Sequence, residues 1–511
     1  MKKLITFFYI FTAAFFLLLV SGCQAPNANR DTFSGDYPVI ESLPLWRGFN
    51  LQNMFSRGTR YDTNFNEKDF RTISEWGFNF VRIPVDYRIL ISGGNWNNIN
   101  ENALQRLDKA VEFGMKYNIH VNINFHRAPG FTVASPAETT DLWTQRGPQE
   151  AFARLWGILA ERYKNISNEF LSFNLVNEPP AVDEAVHAAV MKKAADAIRA
   201  KDPKRLIIAD GREFGYRPST MIRDLGIVQS TRGYYPNTVS HYGAEWMEGS
   251  SNYPAPAWPV IMVPRYLYAL EKTDVPRSVY SIRFNFNEAY NLDINVGVVS
   301  REARLIVKAD DRIIYNNLIV SGPGNGDWTT VVFRQDWNVY QNIFNRDYRA
   351  LVPSGARHIT IEVTDGDWMT VNDIKFSPVR TGSGRNFSLT PNSIDWGREI
   401  PPVVFDSNGN PDAGASDSFL WEIAYKHWEE FINNGGVMVG EWGAYNKTPH
   451  DVTLRWMEDN LKLFKERGLA WALWNFNGPF GIVDSGRTDV QYEDYDGYKL
   501  DRKMLELLQK Y

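Results

Sequence analysis

The chain of 511 residues predicts an α/β fold, a (β/α)8 TIM barrel with an inserted antiparallel β-sandwich domain. Three observations carry this expectation. Strand-like apolar runs and amphipathic helical stretches alternate six times between Leu45 and His241. A period of two residues replaces that pattern from roughly Pro276 to Val379. The first pattern then returns and supplies two further strands, which brings the count to eight, the number that closes a parallel barrel.

The N-terminus reads as a targeting segment. Lys2 and Lys3 precede an apolar or small stretch from Leu4 to Val20, followed by Leu19-Val20-Ser21-Gly22-Cys23, a charged region, an apolar region and a small-residue processing site in the order of a secretory signal. The run resembles a bacterial lipoprotein signal over residues 1–22. That resemblance makes Cys23 the lipidated first residue of the mature chain and places the protein at the cell envelope; an ordinary secretory signal or an uncleaved anchor is the alternative. Cys23 is the single cysteine, so no disulfide forms within the chain. Residues 23–44, rich in Pro, Asn and Gly, read as a flexible tether.

The barrel elements follow over residues 45–270. Leu45–Asn50 is strand one, and the helix from Glu67 to Gly77 turns Phe70 and Ile73 to one side. Asn79–Pro84 is strand two. A helix over 102–117 spaces Leu104, Leu107, Val111 and Met115 by threes and fours, the spacing of a single apolar stripe. Strand three is Ile119–His126, and the helix over 149–164 repeats the spacing with Phe152, Leu155, Trp156, Leu159 and Tyr163. Strand four, Leu171–Val176, ends in the polar pair Asn177 and Glu178 and is stopped by Pro179 and Pro180. A helix over 184–200, strand five at Arg205–Asp210 and strand six at Thr238–His241 complete this part.

Over 276–380 apolar residues alternate with polar ones, as at Tyr280, Ile282, Phe284 and Phe286 or at Ile359, Ile361 and Val363, with turns such as Gly322-Pro323-Gly324 between them. Short strands at this spacing indicate a sandwich. The run from Gly366 to Phe376 resembles the last strand of a jelly-roll carbohydrate-binding module. A glycan-binding role and a purely structural one, shaping a wall of the cleft, both remain open. Residues 386–511 return to the barrel: a helix from Phe419 to Asn433, strand seven at Val437–Glu441, a helix over 451–467, strand eight at Ala470–Trp474 and a terminal helix from Leu500 to Gln509.

The net charge of −5 with interspersed signs gives no basic stripe and argues against nucleic acid as a partner. The histidines show no ligand spacing with carboxylates, so neither a metal nor another cofactor is expected. Aromatic residues make up 14% of the chain; most fill cores, and flat aromatic faces also suit the apolar faces of sugar rings.

In a parallel barrel all strands point their C-terminal ends to one mouth, where active sites are built. Glu178 at strand four and Glu441 at strand seven then converge there. Two carboxylates flanking a cleft suit glycosidic bond cleavage, one protonating the leaving oxygen and the other attacking the sugar or activating water. Asn177-Glu178-Pro179 together with Gly440-Glu441-Trp442-Gly443 resembles glycoside hydrolase family 5, the cellulase family of retaining barrel glycosidases, from about Leu45 to Gln509 apart from the insertion. The resemblance implies Glu178 as acid/base, Glu441 as nucleophile and Asn177 as a partner of the sugar 2-hydroxyl. It places Arg82 under the nucleophile, His126 and His241 beside the reacting subsite and Trp474 as its stacking floor. The family sets a tyrosine two residues beyond the strand-six histidine. Gly243 stands there, so the adjacent Tyr242 is the candidate. The segment Gly481–Ser485, with Asp489 to Asp501, resembles the closing part of exo-glucanase-like members. The implied substrate is a β-linked glucan polysaccharide or oligosaccharide; a β-mannan, a glycolipid head group, and a non-catalytic surface polysaccharide-binding lipoprotein are the alternatives. The length of the 211–275 stretch and of the insertion favours a cleft closed at one end.

Overall fold

The computed structural model describes residues 42–511 except 248, 254, 260–262, 270–277, 381–383, 392–401, 408, 410–419 and 435. The targeting segment, Cys23 and the tether up to residue 41 lie outside the described residues, as does Phe419.

Eight parallel strands form a closed barrel: β1 (Arg47–Asn50), β2 (Phe80–Asp86), β3 (His120–Ala128), β4 (Leu171–Asn174), β5 (Ile207–Asp210), β6 (Val228–Gly233), β7 (Val437–Trp442) and β8 (Ala470–Leu473). Each pairs with its neighbour in sequence order, and β8 pairs with β1 to close the ring. Every residue of β2, β3 and β6 is buried, as expected of strands covered on one face by helices and on the other by the barrel interior.

Between strands run helices Glu67–Glu75, Glu101–Lys116, Arg146–Tyr163, Glu184–Arg199 and His450–Glu466, with Arg502–Lys510 at the end. Side chains set where several begin. Asn66, Asn100 and Asp183 each accept a hydrogen bond from a backbone N–H of the first turn, satisfying donors that a helix start leaves unpaired.

Two elements differ from expectation. Thr238–His241 is not strand six: Asn237–Ser240 forms one short helical turn after Pro236. The strand is Val228–Gly233, in which Gln229, Ser230, Thr231 and Arg232 are polar yet buried. A polar strand of this kind gives no apolar signature, because its side chains serve hydrogen bonds within the barrel. The expected helix before β7 is broken, with a wide π-type turn at Trp421–Tyr425, a tight 3-10 turn at Lys426–Trp428 and an α-helix only at Glu429–Asn433. There the Trp428 indole N–H donates to the Tyr216 carbonyl at 3.1 Å.

The insertion is two packed sheets. One orders Phe333–Arg334, Val339–Val352, Tyr290–Ser300, Trp368–Pro378 and Phe387–Leu389, with Tyr266–Tyr268 also on Trp368–Pro378; the other orders Arg312–Val320, Glu302–Ala309, His358–Gly366, Val279–Arg283 and Val403–Val404. Leu292, Ile294 and Val296 from the first sheet share a core with Leu305, Val307, Ile359 and Ile361 from the second. Pairing extends beyond 276–380 on both sides, since Tyr266–Tyr268, Phe387–Leu389 and Val403–Val404 lie in stretches expected to belong to the barrel. Short flanking strands of this kind cover sheet edges that would otherwise leave backbone groups unpaired.

Candidate active site

Strand ends place the two glutamates. Asn177 follows β4, fully buried, with its N–H donating to the Phe125 carbonyl of β3 at 2.9 Å. Glu178 comes next with a left-handed backbone, φ 47°, a conformation that costs a non-glycine residue on the order of 1 kcal/mol. Its N–H donates to Oδ2 of Asp210, at the end of β5, at 2.9 Å, which holds the turn. Glu441 lies within β7 and is 2% exposed. Gly440 before it packs against β6 so closely that a Cβ there would collide with the Ser230 side chain, so glycine is what allows β7 to bring Glu441 to its partners.

Two buried arginines tie the mouth together. Arg82 on β2 donates from Nη1 to Oε1 of Glu441 at 2.5 Å and to Oδ1 of Asn50 at 2.9 Å, from Nε to Asn174 at 3.0 Å and from Nη2 to Oδ1 of Asn177 at 2.9 Å. Arg232 on β6 reaches further across. Its Nε donates to Oε1 of Glu178 at 2.8 Å; its Nη2 donates to Asn177 at 2.7 Å, to Asp210 and to Oε1 of Glu441 at 3.3 Å. One guanidinium therefore touches both glutamates. The Tyr234 hydroxyl, just beyond β6, donates to Oε2 of Glu441 at 3.2 Å.

These neighbours set the protonation states. Burial raises the Glu178 carboxyl, the positive charge of Arg232 opposes this, and the negative charge of Glu441 adds to it; the outcome is a pKa of about 7. Burial also acts to raise Asp210, but the charges of Arg232 and Arg82 outweigh it and hold Asp210 below the usual carboxylate range. Burial opposes the charge on Arg232, and Asp210, Glu441 and Glu178 together keep that group protonated. Tyr234 is held well above the usual phenol value by burial and by Glu441, so it stays a donor. A carboxyl that holds its proton near neutrality is able to donate it, and the second carboxyl beside it is bound by two arginines.

The remaining predicted residues surround this pair. His126, buried on β3, has Nδ1 3.9 Å from Oε1 of Glu441 and stacks on Trp474 with ring centres 5.2 Å apart. Burial, then the charges of Arg82, Arg232 and Arg127, push it well below the usual histidine range, so it is neutral. Trp474 follows β8, and Phe55 packs edge-on against it at 5.7 Å. His241 meets Tyr234 edge to face at 4.9 Å and borders the mouth through it; burial lowers it to about 4. Tyr242 does not supply the hydroxyl bonded to Glu441. Tyr234 does, because strand six lies eight to ten residues earlier than expected and its register brings Tyr234, not Tyr242, over Glu441. Sequence reasoning also missed Arg232 and Asp210. Asp210 ends a strand just as Glu178 follows one, and that position was the signal available.

A closed parallel barrel with paired glutamates after its fourth strand and on its seventh, joined through arginine at the C-terminal mouth, has the arrangement that glycosidic bond cleavage requires. Residues 38–244 match the family model described as cellulase (glycosyl hydrolase family 5). It is similar to endoglucanase C of Acetivibrio thermocellus, 32% identical over 198 residues, which are 38% of this chain and 57% of that relative. It is similar also to cellodextrinase A of Ruminococcus flavefaciens, 28% identical over 223 residues, 41% of this chain and 64% of that one. The match thus spans under two thirds of either relative. Among solved structures, one described as a glycoside hydrolase is 27% identical with a TM-score of 0.58, covering 91% of this chain and 99% of its own. Thermotoga maritima Cel5A in complex with cellobiose, 17% identical with a TM-score of 0.51 over 91% of this chain and 96% of its own, shares the fold.

Proposed function

We propose that the chain is a retaining β-glycoside hydrolase acting on a β-linked glucan, with Glu178 as acid/base and Glu441 as nucleophile. The observation that carries this reading is the guanidinium of Arg232 touching both carboxylates at one mouth. In the first step a carboxylate oxygen of Glu441 bonds to the anomeric carbon while the proton of Glu178 passes to the departing glycosidic oxygen. In the second, Glu178 as carboxylate takes a proton from water, the water oxygen bonds to the anomeric carbon, and the ester to Glu441 breaks. Tyr234 and Arg82 hold the two oxygens of Glu441 toward the sugar, and Trp474 offers a face for its ring. The names of the relatives, an endoglucanase and a cellodextrinase, support a glucan as the substrate.

The test is product analysis on β-1,4, β-1,3 and mixed-linkage glucans and on mannan, with proton NMR of the first anomer released. A β-configured first product from a glucan is expected, and Glu178→Ala and Glu441→Ala are each expected to abolish turnover with the fold intact. An α first product, or substantial activity in both variants, would overturn the assignment.

A further inference from the structure

We propose that the inserted sandwich carries a second carbohydrate site, a cleft at one end of its sheets that binds a neutral β-glucan chain apart from the barrel mouth. The proposal rests on the glucanase reading only for the identity of the sugar.

The cleft has a volume of about 1580 Å³. Three features of it point to a ligand. The first is aromatic. Trp337 sits at the tip of the hairpin between Phe333–Arg334 and Val339–Val352 and is 66% exposed. A tryptophan so exposed contributes little to the sandwich core, which leaves its face available to a ligand in the cleft. Tyr340, Tyr266 and Trp368 line the same cleft, Tyr266 and Trp368 packed edge to face at 5.4 Å. Aromatic groups in a cleft offer their faces to a flat, apolar-faced ring.

The second feature is a polar floor. Arg334 Nε donates to Gln341 Oε1 at 3.2 Å, Gln341 Nε2 donates to Ser300 Oγ at 3.5 Å, and Ser300 Oγ donates to Asp367 Oδ2 at 2.6 Å. Amide, guanidinium, hydroxyl and carboxylate groups in one row are the donors and acceptors that a polyhydroxylated chain requires. The charged groups lining the cleft are Arg301 and Arg334 with Glu302, Asp336 and Asp367, two cations and three anions. An anionic polymer would need an excess of positive charge, which this lining does not supply, so a neutral ligand is favoured.

The third feature is rigidity. Arg301 on the floor holds φ 53°, outside the conformations ordinary for a side chain as large as arginine. Its N–H donates to the Tyr340 carbonyl at 2.9 Å and its own carbonyl accepts from Ser321 N–H at 2.6 Å. Strain retained and pinned from both sides is characteristic of functional surfaces. A second site on the same chain also raises the local concentration of substrate at the barrel, because release from one site leaves the polymer held at the other.

Depletion binding on insoluble β-1,4-glucan and on immobilised mixed-linkage glucan tests this with the full chain. Glu441→Gln serves as the parent so that the polymer is not consumed. Adding Trp337→Ala is expected to weaken retention about tenfold, the loss typical of a central aromatic contact. Adding Ile313→Ala instead, 55% exposed on the other sheet, is expected to leave retention at the parent value. Equal retention with and without Trp337, or an equal loss from Ile313→Ala, would overturn the proposal. So would retention on DNA in preference to glucan. Hydrolysis of soluble cello-oligosaccharides by the wild type reports on the barrel separately. Hydrolysis with Trp337-independent retention overturns this inference and leaves the barrel assignment. Trp337-dependent retention without hydrolysis does the reverse.

Discussion

The guanidinium of Arg232 lies against Glu178, Asp210 and Glu441 at once, and it bears on the Glu178 proton differently at the two stages of the proposed reaction. While Glu441 is a carboxylate its negative charge helps raise Glu178 to about 7. Once Glu441 is an ester that charge is gone and Arg232 remains, so Glu178 becomes the better base when a base is needed. The sign for the free enzyme follows. Glu178 holds its proton below about pH 7 and loses it as pH rises through that value, so kcat/KM should fall on the alkaline side near 7. Arg232→Gln removes the charge that lowers Glu178 and should move that limb to higher pH; Arg232→Lys, which keeps the charge, should return it toward the wild type. The Gln variant will also cost stability, about 3 to 5 kcal/mol, because Asp210 is left buried with Arg82 at 3.8 Å as its remaining cation. A limb that does not move in the folded Gln variant would make Arg232 purely structural. Glu178 and Glu441 were legible in the sequence because each sits in or just after a strand whose apolar residues announce it, and Arg82 came with the family resemblance. Arg232 was not, because Gln229, Ser230 and Thr231 around it are polar and the strand is built on hydrogen bonds that hydropathy does not register.

At the scale of elements, the site depends on how closely β6 and β7 approach. Gly440 abuts Ser230, and a Cβ on Gly233 would come within 2.7 Å of the Trp442 Cβ and 3.0 Å of the Tyr425 hydroxyl. The two strands are therefore paired through glycines on either side of the Arg232–Glu441 contact. Gly440→Ala should force them apart, lowering stability by about 1 to 3 kcal/mol in thermal denaturation. It should also lower kcat in protein that is still folded at assay temperature, since Glu441 moves off Arg232 and Tyr234. An unchanged melting temperature would mean that Ser230 turns aside to admit the methyl group. The long helices were readable from a period of 3.6 and seven of the eight strands from short apolar runs, with ends displaced by a few residues. The helix before β7 was not, because its apolar spacing is real while its backbone changes pitch twice between Trp421 and Glu429. Tyr266–Tyr268 and Phe387–Leu389 are too short to show a period at all, and only their pairing partners make them strands.

Over the whole molecule the apolar residues separate into two main cores that share no member. The barrel core runs from Phe49 to Trp258 and again from Leu420 to Leu508, whereas the sandwich core lies between Val263 and Phe405. The chain leaves the barrel at a fixed point. Trp258, 4% exposed, donates from its indole N–H to Asp459 at 2.8 Å, and its carbonyl accepts from Arg455 at 3.1 Å. A chain tied down there can lose the sandwich beyond it without disturbing strands that close on themselves. Differential scanning calorimetry should therefore resolve two transitions. Ile294→Ala, fully buried in the sandwich, should lower one of them by the equivalent of about 2 to 5 kcal/mol and leave the other in place. A cello-oligosaccharide that fits the barrel should raise the second, by an amount that grows with the logarithm of its concentration. If Ile294→Ala instead shifts a single transition whose calorimetric and van't Hoff enthalpies agree, the two cores unfold as one, and the Trp258 junction transmits stability between them.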